Sequence, residues 1–262
     1  MSNPKKEEGL KREVDVAGLT LTIVNGTIGA GIFALPAIIS IALGAFGIFS
    51  YLFCSIMMAA ILLCYAEIGS RITTSGGSYA YVEAAFGTFP GYIINWLYFF
   101  GWSVLGSAAL MNIIADSMAT LFPIFNNSLA RACFFFIIIG FIVLVNIRGV
   151  KQGVNFIKWI TIIKLFPLFA IFLFSFSKVE ASNLYWNEIP SLKTFSNTAL
   201  LLFFAFEGFE TSLSVSGEIK NPTRTVPLGI LFGGSIVFII YVLIQTVAQG
   251  VIGLQMEAFK AA

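Results

Sequence analysis

Histidine is absent from the 262 residues of this chain, and with it the commonest proton shuttle and metal ligand at neutral pH. Charge is scarce as well. Only 11% of residues are Asp, Glu, Lys or Arg, against about a quarter in a soluble domain. The formal net charge of +2 is too small to suggest a nucleic acid partner, whose capture rests on many phosphate contacts. Cysteine occurs three times, as Cys54, Cys64 and Cys133, each in or beside an apolar run. An odd number so placed reads as small buried hydrophobes rather than as a disulfide or metal site. No cofactor and no metal are therefore expected.

What is plentiful is hydrocarbon. Hydrophobic residues make up 58% of the chain, and the few charges cluster so that the apolar runs reach the about 20 residues a bilayer crossing needs. Seven spans are expected, over about 16–41, 46–68, 92–121, 130–147, 155–176, 194–216 and 227–254. This predicts an all-α polytopic membrane protein, since a transmembrane barrel would show alternating segments of about 10 residues. The N-terminal 15 residues mix acids with bases and read as a cytoplasmic tail rather than a signal peptide. With the N-terminus inside, Arg71, Arg148, Lys151, Lys158, Lys220 and Arg224 join the basic tail on the inner side. The excess of Lys and Arg there favours that orientation. Lys164 alone falls near the middle of a span, whereas Lys158, nearer the span end, is expected to reach for the membrane surface.

The first span contains "NGTIGAGIFALP", with Gly26, Gly29, Gly31 and Pro36. These residues predict an interrupted helix around Gly29-Ala30-Gly31, although small residues also serve close packing between membrane helices. Backbone freed in hydrocarbon is tolerated only where it is buried in protein or lines a polar cavity. Amides at the start of the outer half-helix suit a carboxylate, and carbonyls at the end of the inner half suit an ammonium group. The sixth span repeats the pattern in "FFAFEGFE", which sets Glu207, Gly208 and Glu210 in an apolar run. Acids inside a span mark function by default. Two interrupted helices in corresponding positions point to a site at mid-membrane.

Three stretches together resemble an amino acid permease of the amino acid–polyamine–organocation superfamily: "GAGIFALP", "GGSYAYVEAAFG", and "FFAFEGFE" followed by "GEIKNPTRTVP". The resemblance implies a leucine-transporter-like fold of two inverted five-helix repeats, here about seven transmembrane helices with helices 1 and 6 broken. Residues 16–254 would form the transmembrane domain, with a first repeat over about 16–176 and a partial second over about 194–254, and 255–262 a truncated end. It implies that the amides of Gly29, Ala30 and Gly31 hold a substrate carboxylate. The carbonyls of Thr27, Phe204 and Glu207 would hold its amino group, with the Phe204 ring as a gate. Glu210 and Lys164 would serve proton coupling, Lys164 standing where sodium sits in sodium-coupled cousins.

The expected activity is secondary transport of amino acids or polyamine-like amines by proton symport or exchange. That activity involves no covalent chemistry and no catalytic residue. The expected partners are the small-molecule substrate, protons, the lipid bilayer and a second copy in a homo-oligomer, in a cell membrane of the bacterial inner type. Family members carry ten core helices or more, so a seven-span chain reads as a fragment, a decayed gene product or a functional half. A non-transporting membrane protein, such as a sensor or a remnant permease, is the alternative.

Overall fold

The computed structural model describes residues 10–253 apart from positions 30 and 187. Ala30, expected at the first break, and the segment 255–262 lie outside the described residues. Ten α-helices follow in order: α1 Val16–Thr27, α2 Gly31–Leu43, α3 Gly47–Arg71, α4 Ser78–Phe86, α5 Thr88–Leu97, α6 Ser107–Leu121, α7 Ser128–Ile147, α8 Val150–Phe176, α9 Leu192–Phe204 and α10 Pro222–Ile252. Nine residues wound as a π-helix, Tyr98–Gly106, join α5 to α6. Six of the helical runs are long and apolar enough to cross a membrane, and α1 is a shorter apolar helix. The run Gly31–Arg71 counts once among the six yet contains α2 and α3. At 1.5 Å per residue α1 and α2 are each about 20 Å long, shorter than a hydrocarbon core of about 30 Å. Together they make one crossing. The protein is thus an integral membrane protein, all-α, with the expected seven passages once α1 and α2 are paired.

The core gathers where α10 packs along α3 and α1, and α1 packs on α8 and on the 3₁₀ segment Phe209–Glu218. Leu19, Ile23 and Val24 of α1, Leu202 of α9, Leu213 and Val226 are all buried there. Gly229 and Gly233 of α10 sit against Leu19 and Ile23, so the absent side chains let the two helices close up. In contrast, the apolar windows of Thr88–Leu121 and Ser128–Ile147 bury no residue. Their side chains face outward, as hydrocarbon permits. Cys54 is buried in the core as expected, whereas Cys64 and Cys133 lie on exposed helix faces.

The segment preceding α1 is clipped to the return after the sixth span. The amides of Glu13 and Val14 donate to the Glu218 carbonyl at 2.8 and 2.9 Å, and the Lys220 amide donates to the Val14 carbonyl at 2.8 Å. Arg12 Nη1 adds a bond to the Ile219 carbonyl at 3.1 Å. This gives the "GEIKNP" motif a structural task, pairing with the chain start. The "GGSYAYVEAAFG" motif docks nearby, where the Gly76 amide donates to the Ser214 carbonyl.

Asp15 caps α1 by accepting from the Gly18 amide at 2.7 Å and lies 3.5 Å from Lys158 Nζ. Lys158, expected to reach for the membrane surface, is instead paired across to α1. The Gly18 amide, more than Lys158, holds the Asp15 carboxyl below its ordinary range despite some desolvation. Asp15→Ala should cost about 1 kcal/mol at pH 7 through the lost cap, and Asp15→Asn a few tenths. Because the folded-state pKa is depressed, this contribution is complete above the usual carboxylate range near about pH 4 and is lost as pH falls through the folded value. Thermal unfolding in detergent at pH 7 and below pH 4 checks both the size and the narrowing of the difference.

Candidate functional site

The first span breaks at Ile28 and Gly29. The helix α1 ends at Thr27, Ile28 is extended (φ −75°, ψ 95°), and α2 resumes at Gly31. The sixth breaks after Phe204, where the chain turns through Ala205–Glu207 to Gly208 at φ 105°, ψ −15°, and continues as 3₁₀ turns. The two breaks touch. A Cβ on Gly26 would lie 2.7 Å from the Gly208 carbonyl oxygen, and one on Gly208 only 2.5 Å from that of Gly26. Gly208 needs glycine twice over, for its positive φ and for this backbone-to-backbone approach.

Several polar groups serve the carbonyls freed at the breaks. Lys164 Nζ, from α8, donates to the carbonyls of Asn25 at 2.9 Å and Ile28 at 2.6 Å. Pro167 stands within the same helix; lacking an amide hydrogen, it loosens α8 one turn from that lysine. Tyr241, from α10, offers one hydroxyl to two breaks at once, to the Thr27 carbonyl at 3.2 Å and to Ala205 at 2.7 Å. The Gly208 amide donates to Glu210 Oε2 at 2.9 Å, so this carboxylate caps the restart of the sixth helix. Ammonium, phenol and carboxylate thus do at mid-span what water does at a surface helix end.

The expected site residues divide. Thr27, Gly29, Gly31, Lys164 and Glu210 lie at the breaks. Among the described residues, and apart from its chain neighbours, no heavy atom comes within 4 Å of a Cβ built on Gly29, and the one built on Gly31 meets only the flexible Leu35 side chain, at 3.3 Å. Open space therefore stands beside the backbone here. The carbonyl of Phe204 already accepts from the Glu207 amide at 3.3 Å, and the side chain of Glu207 is exposed. The ring of Phe204 is 64% exposed. The rings turned inward at this break are Phe206, 5.0 Å from Tyr241, and Phe209, 5.0 Å from Tyr65. The helical period that would order these three phenylalanines is lost across the turn at Gly208.

A cavity of about 510 Å³ adjoins the breaks between α3 and α10, lined by Thr27, Ser55, Ala59, Leu62, Phe206 and Phe238 among others. Among the described residues no charged side chain lines it. Sequence reasoning missed Tyr241. The available signal was a tyrosine in line with Gln245 and Gln249, at intervals of four, in an otherwise apolar run.

Residues 14–261 match the family model described as amino acid permease. The chain is 31% identical over 248 residues to the serine/threonine exchanger of Bacillus subtilis (strain 168), covering 92% of this chain and 55% of that protein. It is 26% identical over 269 residues to the methylthioribose transporter of the same organism, covering 95% and 57%. To the b(0,+)-type amino acid transporter 1 of Oryctolagus cuniculus it is 26% identical over 256 residues, covering 93% and 52%. The chain thus spans about half the length of these relatives. Two broken helices meeting at mid-span and a family match over nearly all of the described residues lead to one conclusion: this chain belongs to the amino acid permease family.

Proposed function

We propose that the chain is the substrate-binding part of a secondary amino acid carrier. The observation that carries this is the convergence of Lys164 and Tyr241 on the carbonyls of two adjoining helix breaks. Such groups keep interrupted backbone stable in a membrane while leaving the Gly29 side open. A zwitterion fits this arrangement. Its carboxylate takes the amides of Gly29, Ala30 and Gly31, and its ammonium takes the carbonyls of Thr27, Phe204 and Glu207. The exposed Phe204 ring closes over it. Lys164 and Glu210 carry the coupled proton, by symport or exchange.

The end bearing Val14 faces the cytoplasm of a cell membrane, because Arg12, Arg71, Arg148, Lys158, Lys220 and Arg224 gather towards it. The names of the relatives, exchangers and transporters of amino acids or a thioribose, support a small polar solute. They describe proteins about twice as long, so transport is proposed for the assembly that completes the fold, and binding for this chain.

The test is thermal unfolding of the purified chain with a panel of amino acids and amines, beside counterflow in liposomes. Saturable stabilisation by at least one compound is expected, about 2.7 kcal/mol at 100 times its Kd. Gly29→Ala should fold normally and lose that response, because its methyl would stand over the open backbone. A chain that is stabilised and exchanged by none of the panel overturns the reading.

A further inference from the structure

Tyr241, Gln245 and Gln249 recur at every fourth position of α10, and that spacing sets them on one face. They are 3%, 0% and 3% exposed, in a run long and apolar enough to cross a membrane. Each amide has one end tied down and one end free. Gln245 Nε2 donates to Ser40 Oγ on α2 at 2.9 Å, and Gln249 Nε2 donates to the Asn183 carbonyl at 3.1 Å. Among the described residues, the Oε1 atoms of both are buried with no protein partner. Exchanging the two ends of either amide does not cure this, because the amide nitrogen then becomes the orphan. At the far end of the stripe Tyr241 has a single proton for two carbonyls, and the neighbouring Thr27 hydroxyl is also buried without a partner among the described residues.

Interhelical pegs alone would explain one bond per amide. They do not explain why acceptors are left over on the same face at a helical repeat. A buried polar group in a membrane protein needs a donor, and the donor small enough to recur here is water, which wants two to four polar partners. The stripe starts at the Ala181–Leu184 turn, where the Glu180 amide and Asn183 Nδ2 both donate to the Gly250 carbonyl. It ends at the junction of the breaks, about 12 Å away along the eight residues from Gln249 to Tyr241.

We propose that this face of α10 is a water-binding track. Tyr241, Gln245 and Gln249 hold a file of water molecules that joins the Ala181–Leu184 turn to the carbonyls of Thr27 and Ala205. The file supplies the donors those carbonyls share too thinly, and it does so whether or not the chain takes part in transport.

The test is cysteine accessibility in liposomes. In a background carrying Cys54→Ala, Cys64→Ala and Cys133→Ala, single Gln245→Cys and Gln249→Cys variants are treated with a cationic methanethiosulfonate. Leu243→Cys, on an outward face, and Val247→Cys, at a buried apolar position, serve as controls. Because the reagent needs water and a thiolate, positions 245 and 249 should react at least about ten times faster than 243 and 247. Equal slowness at all four positions overturns the track, and so does reactivity at 249 alone. Should the variants fail to reach the membrane, X-ray hydroxyl-radical footprinting of the unaltered chain decides. Radicals form from bound water, so Tyr241 should be oxidised within several-fold of the exposed Tyr185 although it is buried. Protection as complete as that of the buried Met58 overturns the proposal.

Discussion

Gly208→Ala should leave little folded protein. At φ 105° an alanine is strained by of order 1–3 kcal/mol, and its methyl would sit 2.5 Å from the Gly26 carbonyl oxygen and 3.0 Å from its carbon. Neither atom can step aside without moving the first helix, and forced repacking adds about 1–3 kcal/mol more. The sum is a large part of the stability of an ordinary domain. The expected result is loss of the monodisperse peak after detergent extraction, with an unfolding midpoint far below that of the parent. Gly29→Ala provides the contrast, because open space surrounds its Cβ, and it should unfold within about 0.5 kcal/mol of the parent. Equal tolerance at positions 29 and 208 would show that the two breaks do not meet.

Lys164→Met should be the second most damaging change. It removes the donor from two carbonyls of the first break while keeping an unbranched side chain only one atom shorter. Bonds to a charged donor contribute about 1.5–3 kcal/mol each, and the carbonyls left behind would be buried unpaired, so a loss of about 3 kcal/mol or more is expected. Lys164→Arg should restore only part of it, because a planar fork does not replace a compact ammonium held between two carbonyls. Chemical unfolding of the three proteins, together with hydrogen exchange at the Ile28 and Gly29 amides, measures this. A methionine variant as stable as the parent would mean that the ammonium does not bind the break.

Much of this was legible in the chain. Glycine at 26, 29 and 31 announces a helix that cannot run straight, and the break duly falls at Ile28–Gly29. The pair Glu207–Gly208 announces the other, with Gly208 as its pivot. The position of Lys164 in mid-span requires a buried partner, and residue counting alone could place it. What could not be read is which distant residue serves which carbonyl. Tyr241 lies 214 positions from Thr27 and 36 from Ala205, and no local pattern links them. Phe204, Phe206 and Phe209 fall within six residues, and which of them turns inward depends on backbone angles that only glycine at 208 allows. Lys158 looked like a surface-seeking lysine, because its partner, Asp15, belongs to another helix.

The strap between Val14 and Glu218–Lys220 and the contact between Gly26 and Gly208 fasten the first and sixth passages together at two heights. Fastened so, they form a single lever and cannot act as two independent doors. Any movement of one break must therefore carry the other with it.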